Sequence, residues 1–179
     1  MKYFFKELKT ERLNLRQVQQ EDAPFILKFF KDDEATKFML HHYYTLAEVQ
    51  EQMDYYHLQH KNKSGMYWLI ENKLTQEKYG VAGFHNFSLQ NHKAEIGYWL
   101  LPKYEKQGFT FEALSAIFNY SFYELEMNRI EATIETENQS SIKLAYKLNF
   151  VHEGTFIEYE VNNNKFIDLM MFAILKKNF

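Results

Sequence analysis

The chain contains no cysteine, which excludes disulfides, thiolate metal ligands and a cysteine nucleophile. With 2 prolines and 6 glycines among 179 residues, little of it can be linker, and residues 1–179 read as a single domain. No apolar run approaches the ~18 residues that a membrane helix needs. The opening MKYFFKELKTERL carries charges throughout, unlike a signal peptide. A cytoplasmic protein without a membrane partner is therefore expected. An excess of positive charge is missing too: the formal net charge is -3, so nothing favours a nucleic-acid partner. What the chain does have is aromatic rings, 17 Phe and 13 Tyr, more than a core of this size needs, so some are expected to line a pocket or a partner surface.

The hydrophobic pattern alternates between two periods. Residues 11–18, ERLNLRQV, alternate as a half-buried strand. Glu21 and Asp22 open a helix that tolerates Pro24 in its first turn, with Phe25, Ile26, Phe29 and Phe30 on one face. Thr45 and Glu48 have the spacing of a capping box for a second helix reaching about Lys61. Residues 66–71 and 79–87 read as strands joined by a short polar connection, and residues 92–101 as the next strand. A helical period runs over residues 106–127, a strand over 130–136 and a helix over 138–147, with Asn149 suited to a left-handed cap. A turn at Asn162, Asn163 and Asn164 divides the last two strands. The order implies an α/β (α+β) protein built on one mostly antiparallel mixed sheet of about seven strands, flanked by about four helices.

Within residues 94–113, AEIGYWLLPKYEKQGFTFEA, a strand exits at Pro102, turns at Gly108 and enters a helix. Unpaired N–H groups and the positive end of the helix dipole make such a turn a place to hold phosphate.

Three motifs, in order, resemble the GNAT superfamily of acyl-CoA-dependent N-acetyltransferases. They are T-E-R-L-x-L-R at residues 10–16, A-E-I-G-Y-W-L at 94–100 and N-x-x-S-x-x-x-x-x-K-L-x-F at 138–150. The chain looks most like the RimJ/RimL type, which includes acetyltransferases of ribosomal-protein N-termini. The resemblance implies a GNAT fold, acetyl-CoA as co-substrate without a metal, and direct transfer to a protein N-terminus or small-molecule amine. It makes Glu105, Lys106, Gln107, Gly108, Phe109 and Thr110 the pyrophosphate loop, with backbone donors from Gln107 through Phe111. Glu105 and Thr110 depart from the family pattern there, and Lys106 offers a compensating charge. The resemblance also implies that the strand at Tyr98, Trp99, Leu100 and Leu101 splays from its neighbour and pairs with the pantetheine arm; the competing reading is a plain buried strand.

Glu95 interrupts an apolar strand beside this loop and is the candidate general base; the competing reading is a solvent-facing or lysine-paired residue. Asn138 is an N-cap by residue type, and by resemblance also contacts the pantetheine arm. Ser141, by resemblance, lies near the thioester sulfur and is the candidate proton donor to the thiolate. Many relatives use a tyrosine as that acid, one residue before Tyr146, where this chain has Ala145. Tyr146 therefore reads as a packing or cofactor-edge residue. His41, His42, Tyr43 and Tyr44 either border the acceptor pocket or form an incidental loop. His57 and His60 are spaced for a metal pair but lack a third ligand. His85 and His92 read as surface or edge residues, and Gly80 and Gly83 as markers of a bulge. The aromatic C-terminal strands point to a homodimer. The alternative function is a non-catalytic acyl-CoA- or amine-binding protein on the same fold.

Overall fold

Alternation along the strands assigns each face of the sheet its helices. A computed structural model describes residues 4–179; the reading of the extreme N-terminus falls partly on residues 1–3, outside the described residues. Strands β1 (Leu8–Lys9) and β2 (Leu13–Gln17) lead into helices α1 (Ala23–Phe30) and α2 (Leu46–Lys61). The antiparallel strands β3 (Met66–Asn72), β4 (Lys78–Ser88) and β5 (Lys93–Leu100) follow. Helix α3 (Phe109–Tyr123), strand β6 (Arg129–Glu135) and helix α4 (Gln139–Lys147) precede the closing hairpin of β7 (Val151–Asn162) and β8 (Lys165–Leu175).

The eight strands form one sheet in the order β1-β2-β3-β4-β5-β6-β8-β7. The GNAT α+β architecture is as expected, and the eighth strand is the two-residue β1, too short to show periodicity. Trp68 pairs through Ala82 with Tyr98, so Trp99, one residue on, faces the other way. Trp68 meets Tyr120 of α3 at 6.1 Å between ring centroids, while Trp99 stacks on Phe29 of α1 at 4.0 Å. Each sheet face is thus sealed by rings against its own helix. Among the described residues no helix is long and apolar enough to cross a membrane.

Local chemistry places most boundaries. Thr45 caps α2 by accepting from the Glu48 N–H at 3.2 Å while Glu48 reaches back to the Thr45 N–H at 2.9 Å. Asn149, at φ 64, ends α4, and Asn163 and Asn164 turn the last hairpin with positive φ. Helix α3 stops four residues short of the expected 106–127 span, and starts at Phe109. Its buried periodicity continues through Leu125 and Met127, but Glu126 turns left-handed at φ 59 and breaks the coil. Gly80 and Gly83 mark close approach as well as a bulge. The register shifts between Ile70 and Glu71, opposite Gly80, and a Cβ on Gly83 would meet the Met66 carbonyl at 2.4 Å.

The parallel pair β5–β6 shapes everything that follows. It is registered only over Lys93, Ala94 and Glu95 against Arg129, Ile130 and Glu131. Beyond Glu95 the two strands diverge: β6 continues paired to β8, and β5 continues paired to β4. A wedge opens between them, and from Ile96 onward the side of β5 away from β4 pairs with no strand among the described residues.

Candidate active site

Two cavities meet at this wedge. The first, of about 680 Å³, is bounded by the exit of β5, the α3 N-terminus and the first turns of α4. Gly108 supplies the α3 N-cap at φ 82, with no side chain to satisfy the leading N–H groups. Helices α2 and α4, in contrast, are capped by Thr45 and Asn138. The open N–H groups of α3 therefore face a cavity that also takes Lys37, Lys106, Lys143 and Lys147 into its wall, against Glu34 and Glu105. Donors and positive charge together suit a polyanion.

The second cavity, of about 580 Å³, lies between β5, β6, α2 and the β7–β8 hairpin. Glu95, Glu135 and Glu160 line it, with no lysine or arginine among the described residues. Rings from Tyr55, Tyr56, Tyr67, Phe156 and Tyr159 complete the wall. Tyr67 donates to the Tyr55 hydroxyl at 3.1 Å, and its ring lies 4.6 Å from that of Tyr56. Burial pushes the Tyr56 and Tyr67 phenols well above the ordinary tyrosine range, so both stay neutral there. Acidic groups among aromatic faces suit a cation.

Six residues belong to both cavities: Phe38, Met39, Tyr98, Trp99, Asn138 and Ser141. The Asn138 side-chain oxygen caps α4 by accepting from the Ser141 N–H at 3.1 Å and the Ser140 hydroxyl at 3.0 Å. What Asn138 retains for a ligand is its NH2 donor. Burial raises the Tyr98 phenol, and the nearby Ser141 partly offsets the rise. Both residues line the two cavities where they meet.

Glu95 sits at the wedge's apex. Burial alone would push its carboxyl up, but hydrogen bonds from His85, Thr133 and Asn86 outweigh it and hold the carboxyl at about 2. Thr133 donates to one oxygen; Asn86 Nδ2, at 3.0 Å, and His85 Nε2, at 3.4 Å, approach the other. His85, expected at the surface or an edge, is part-exposed and also faces Glu95, because their strands pair residue for residue at that point. His92 does sit at an edge, its Nδ1 2.9 Å from the Glu126 carbonyl.

The remaining sequence candidates divide by position. Trp99, Leu100, Lys106, Gly108, Thr110 and Phe111 line the first cavity. Leu101 is buried beneath it, its N–H already given to the Tyr79 carbonyl at 2.9 Å. The Phe109 ring is buried against Tyr79, away from the cavity, and the Gln107 side chain donates to the Lys103 carbonyl at 2.8 Å. Phe109 therefore leaves only backbone groups for a ligand, and the Gln107 amide is engaged through one of its donors. Tyr146 is half exposed, packs edge-on against Phe172 at 5.3 Å and lines neither cavity. In the segment between α1 and α2, Phe38, Met39 and Leu40 reach the second cavity. His42 instead contacts Thr36 at 3.2 Å, and Tyr43 packs on Phe30 at 4.9 Å. Tyr98 was read from sequence only as backbone of the pantetheine-pairing strand, and Lys143, Lys147, Glu135 and Glu160 were not singled out. Only the i, i+4 spacing of the two lysines on α4 was a readable signal. Among the described residues no group of three or more His, Asp or Glu is arranged to hold a metal ion.

The acetyltransferase (GNAT) domain family matches residues 12–151, and the chain belongs to that family of acetyl-CoA-dependent acyltransferases. It is 35% identical over 174 residues to the uncharacterized N-acetyltransferase p20 of Bacillus licheniformis, covering 96% of this chain and 97% of that one. A GNAT-family acetyltransferase of Bacillus anthracis superposes with a TM-score of 0.84 at 25% identity, over 96% of this chain and 99% of the other. RimL, a ribosomal L7/L12 alpha-N-protein acetyltransferase in complex with coenzyme A, shares the fold with a TM-score of 0.86 at 22% identity, over 95% and 98% of the two chains.

Proposed function

We propose that this protein transfers an acetyl group from acetyl-CoA directly to a primary amine, and that the two substrates enter from opposite sides of the wedge. The observation that carries the reading is the meeting of a basic, donor-rich cavity with an acidic, aromatic one across Tyr98 and Ser141. The open N–H groups of α3 and Lys106, Lys143 and Lys147 would hold the phosphates. The unpaired β5 edge at Trp99 and Leu100 would hydrogen-bond the amide-bearing arm, as an added strand does. The thioester supplies the acetyl group; the chain's residues hold it, exclude water and manage protons. Ser141, beside Tyr98, would give a proton to the departing thiolate, and the acceptor amine would lose its own proton to water before it attacks.

Glu95 was expected to act as the base. A carboxyl held at about 2 is a weak acceptor of protons from an ammonium group with a pKa of ~8 to 10. We therefore assign Glu95 chiefly to holding the acceptor's positive charge and aiming its amine. The acidic cavity favours a cationic acceptor, either a protein N-terminus or a small-molecule amine, over one whose reacting amine sits beside a carboxylate.

Two further expectations remain proposals. The chain acts in the cytoplasm, and it self-associates through β7. That strand is the sheet's open edge and exposes Phe156, Ile157, Tyr159 and Val161, a surface that pairing with a second copy would cover. Sedimentation at several concentrations tests the second point, and a single monomeric species throughout would remove it.

Thiol release from acetyl-CoA over a panel of diamines, monoamines, amino acids and short peptides tests the main reading. Release with cationic amines is expected, and with 4-aminobutanoate little or none. A rise in melting temperature with acetyl-CoA but no release with any amine would leave the binding-only alternative.

A further inference from the structure

The opening motif at residues 10–16 lies outside both cavities, yet its side chains converge on the turn that borders the first. Arg12 grips that turn at four of six consecutive residues. Its Nη1 donates to the Gln107 carbonyl at 3.1 Å, and its Nη2 lies 3.4 Å from where a Cβ on Gly108 would stand. The guanidinium lies over the Phe109 ring at 4.3 Å, and Nε donates to Glu112 at 2.6 Å. The other Glu112 oxygen accepts from the Arg12 N–H at 2.9 Å and the Thr10 hydroxyl at 2.5 Å. Lys73 fastens the segment from behind, its N–H to the Arg12 carbonyl at 2.9 Å and its Nζ to the Thr10 carbonyl at 3.0 Å.

The turn needs such a clamp. Lys106 and Gly108 are both left-handed, at φ 58 and 82, and a non-glycine residue in that region is strained. The side chains of Glu105, Gln107 and Phe109 are repelled by, turned from or buried away from an anion in the cavity. Beside the lysines of the wall, what the turn itself offers an anion rests on how its backbone N–H groups are aimed, and the carbonyl of Gln107 must be held off that side. Arg12 holds it.

We infer that Arg12, backed by Thr10 and Glu112, is a positioning residue that pre-orders the Gly108 turn for the phosphates of the acyl carrier. The inference rests on the acetyl-CoA reading for its ligand, though not for its geometry. Arg12 touches no reacting atom, so it acts on binding of the phosphate-bearing part alone. Lysine at this position keeps the charge but cannot reach a carbonyl, a carboxylate and a ring at once.

The test measures dissociation constants of coenzyme A and of pantetheine, which lacks the nucleotide and its phosphates, for the parent, Arg12→Ala, Arg12→Lys and Thr10→Val. Arg12→Ala should weaken coenzyme A about tenfold, the effect expected when a charge-assisted contact no longer pre-orders a site. Pantetheine binding should stay within about twofold. Arg12→Lys should lie nearer alanine than the parent, and Thr10→Val should show a smaller loss. Hydrogen exchange supplies a readout without ligand: the Glu112 N–H, bonded to the Gly108 carbonyl at 3.0 Å, should exchange faster in both Arg12 variants. Equal weakening of both ligands, full rescue by lysine, or unchanged exchange at Glu112 would each overturn the inference. Should Arg12→Ala not fold, Arg12→Lys and Thr10→Val decide it. If the parent binds no coenzyme A, the acetyl-CoA reading fails, and exchange at Glu112 still decides whether Arg12 orders the turn.

Discussion

The two cavities share six wall residues but have opposite chemistry on either side of them. One is walled by four lysines and the uncapped start of a helix, the other by three glutamates and a set of aromatic rings. The first offers backbone donors and exposed charge, which tolerate variation in side chains. The second offers ring faces and carboxylates fixed by neighbours, as Glu95 is fixed by Thr133, Asn86 and His85. The difference teaches where specificity can reside. On the proposed reading, a carrier common to a family would need only the generic cavity, whereas the acceptor would be selected by the particular one. Substitutions should therefore separate cleanly: wedge residues should change turnover, and residues of one cavity should change the apparent affinity of one substrate.

The largest effect is expected at the seam. Tyr98→Phe and Ser141→Ala should each lower kcat by about a hundredfold, the lower range for a positioned proton donor. Both KM values should change by no more than about twofold. Two hydroxyls serving one proton-transfer step should be non-additive, so the double variant should be scarcely slower than the worse single variant. Steady-state kinetics with each substrate varied in turn would show this. A shift confined to one KM, with kcat intact, would move the residue from the seam into one cavity.

Next in size is Glu95→Gln. Losing a hydrogen-bonded charge opposite a cationic acceptor should raise the acceptor KM about tenfold, with the acetyl-CoA KM unchanged. If kcat collapses while the acceptor KM holds, Glu95 is the base after all. The pH profile sharpens the point. With the carboxyl at about 2, activity should fall steadily as the pH drops from the acceptor amine's own pKa of ~8 to 10. No inflection is expected between about pH 7 and pH 4, and only the upper end of that fall should move when the amine is changed.

These two predictions concern residues with very different visibility in the sequence. Glu95 stood out because a charge broke an apolar strand, and the Gly108 turn because glycine preceded a helical period. Thr45 with Glu48, Asn149 and the triple asparagine turn were legible for the same reason: each acts on its own backbone within a few residues. Tyr98 carried no such signal. One tyrosine in an apolar strand looks like its neighbours until the wedge leaves its hydroxyl beside a helix more than forty positions later in the chain. Phe156, Tyr159 and Glu160 reach the second cavity only because β8 inserts between β6 and β7, a topology that no local pattern encodes. The contact of His85 with Glu95 was missed because it depends on strand register. The early stop of α3 was hidden because Leu125 and Met127 remain buried after the helix has ended.

A smaller effect is expected on the basic side. Lys143 and Lys147 are exposed, and Lys147 already lies over the Phe111 ring at 4.4 Å. Solvent screens such charges, so each alanine substitution should raise the acetyl-CoA KM only about threefold at low salt. At about 0.5 M salt the difference from the parent should nearly vanish. The acceptor KM should be insensitive to both changes, and a rise there would mean that the cavities are not independently charged.

The smallest effect is on stability, and it belongs to the acidic side alone. The Glu95 carboxyl lies near 2 in the folded chain against an ordinary 4.5, so the folded state binds its proton less readily than the unfolded chain does. Its contribution to stability is therefore fully present above about pH 5 and fades as the pH falls toward 2. Glu95→Gln removes that contribution at every pH. The melting temperature of the parent should exceed that of the variant by a few degrees at pH 7, and the gap should narrow steadily below pH 4.5. A gap independent of pH would mean that the hydrogen bonds from Thr133 and Asn86 serve glutamine as well as glutamate. In that case the charge at the apex of the wedge is not what its neighbours are arranged to hold, and the assignment of the acidic cavity to a cation would lose its best-fixed carboxylate.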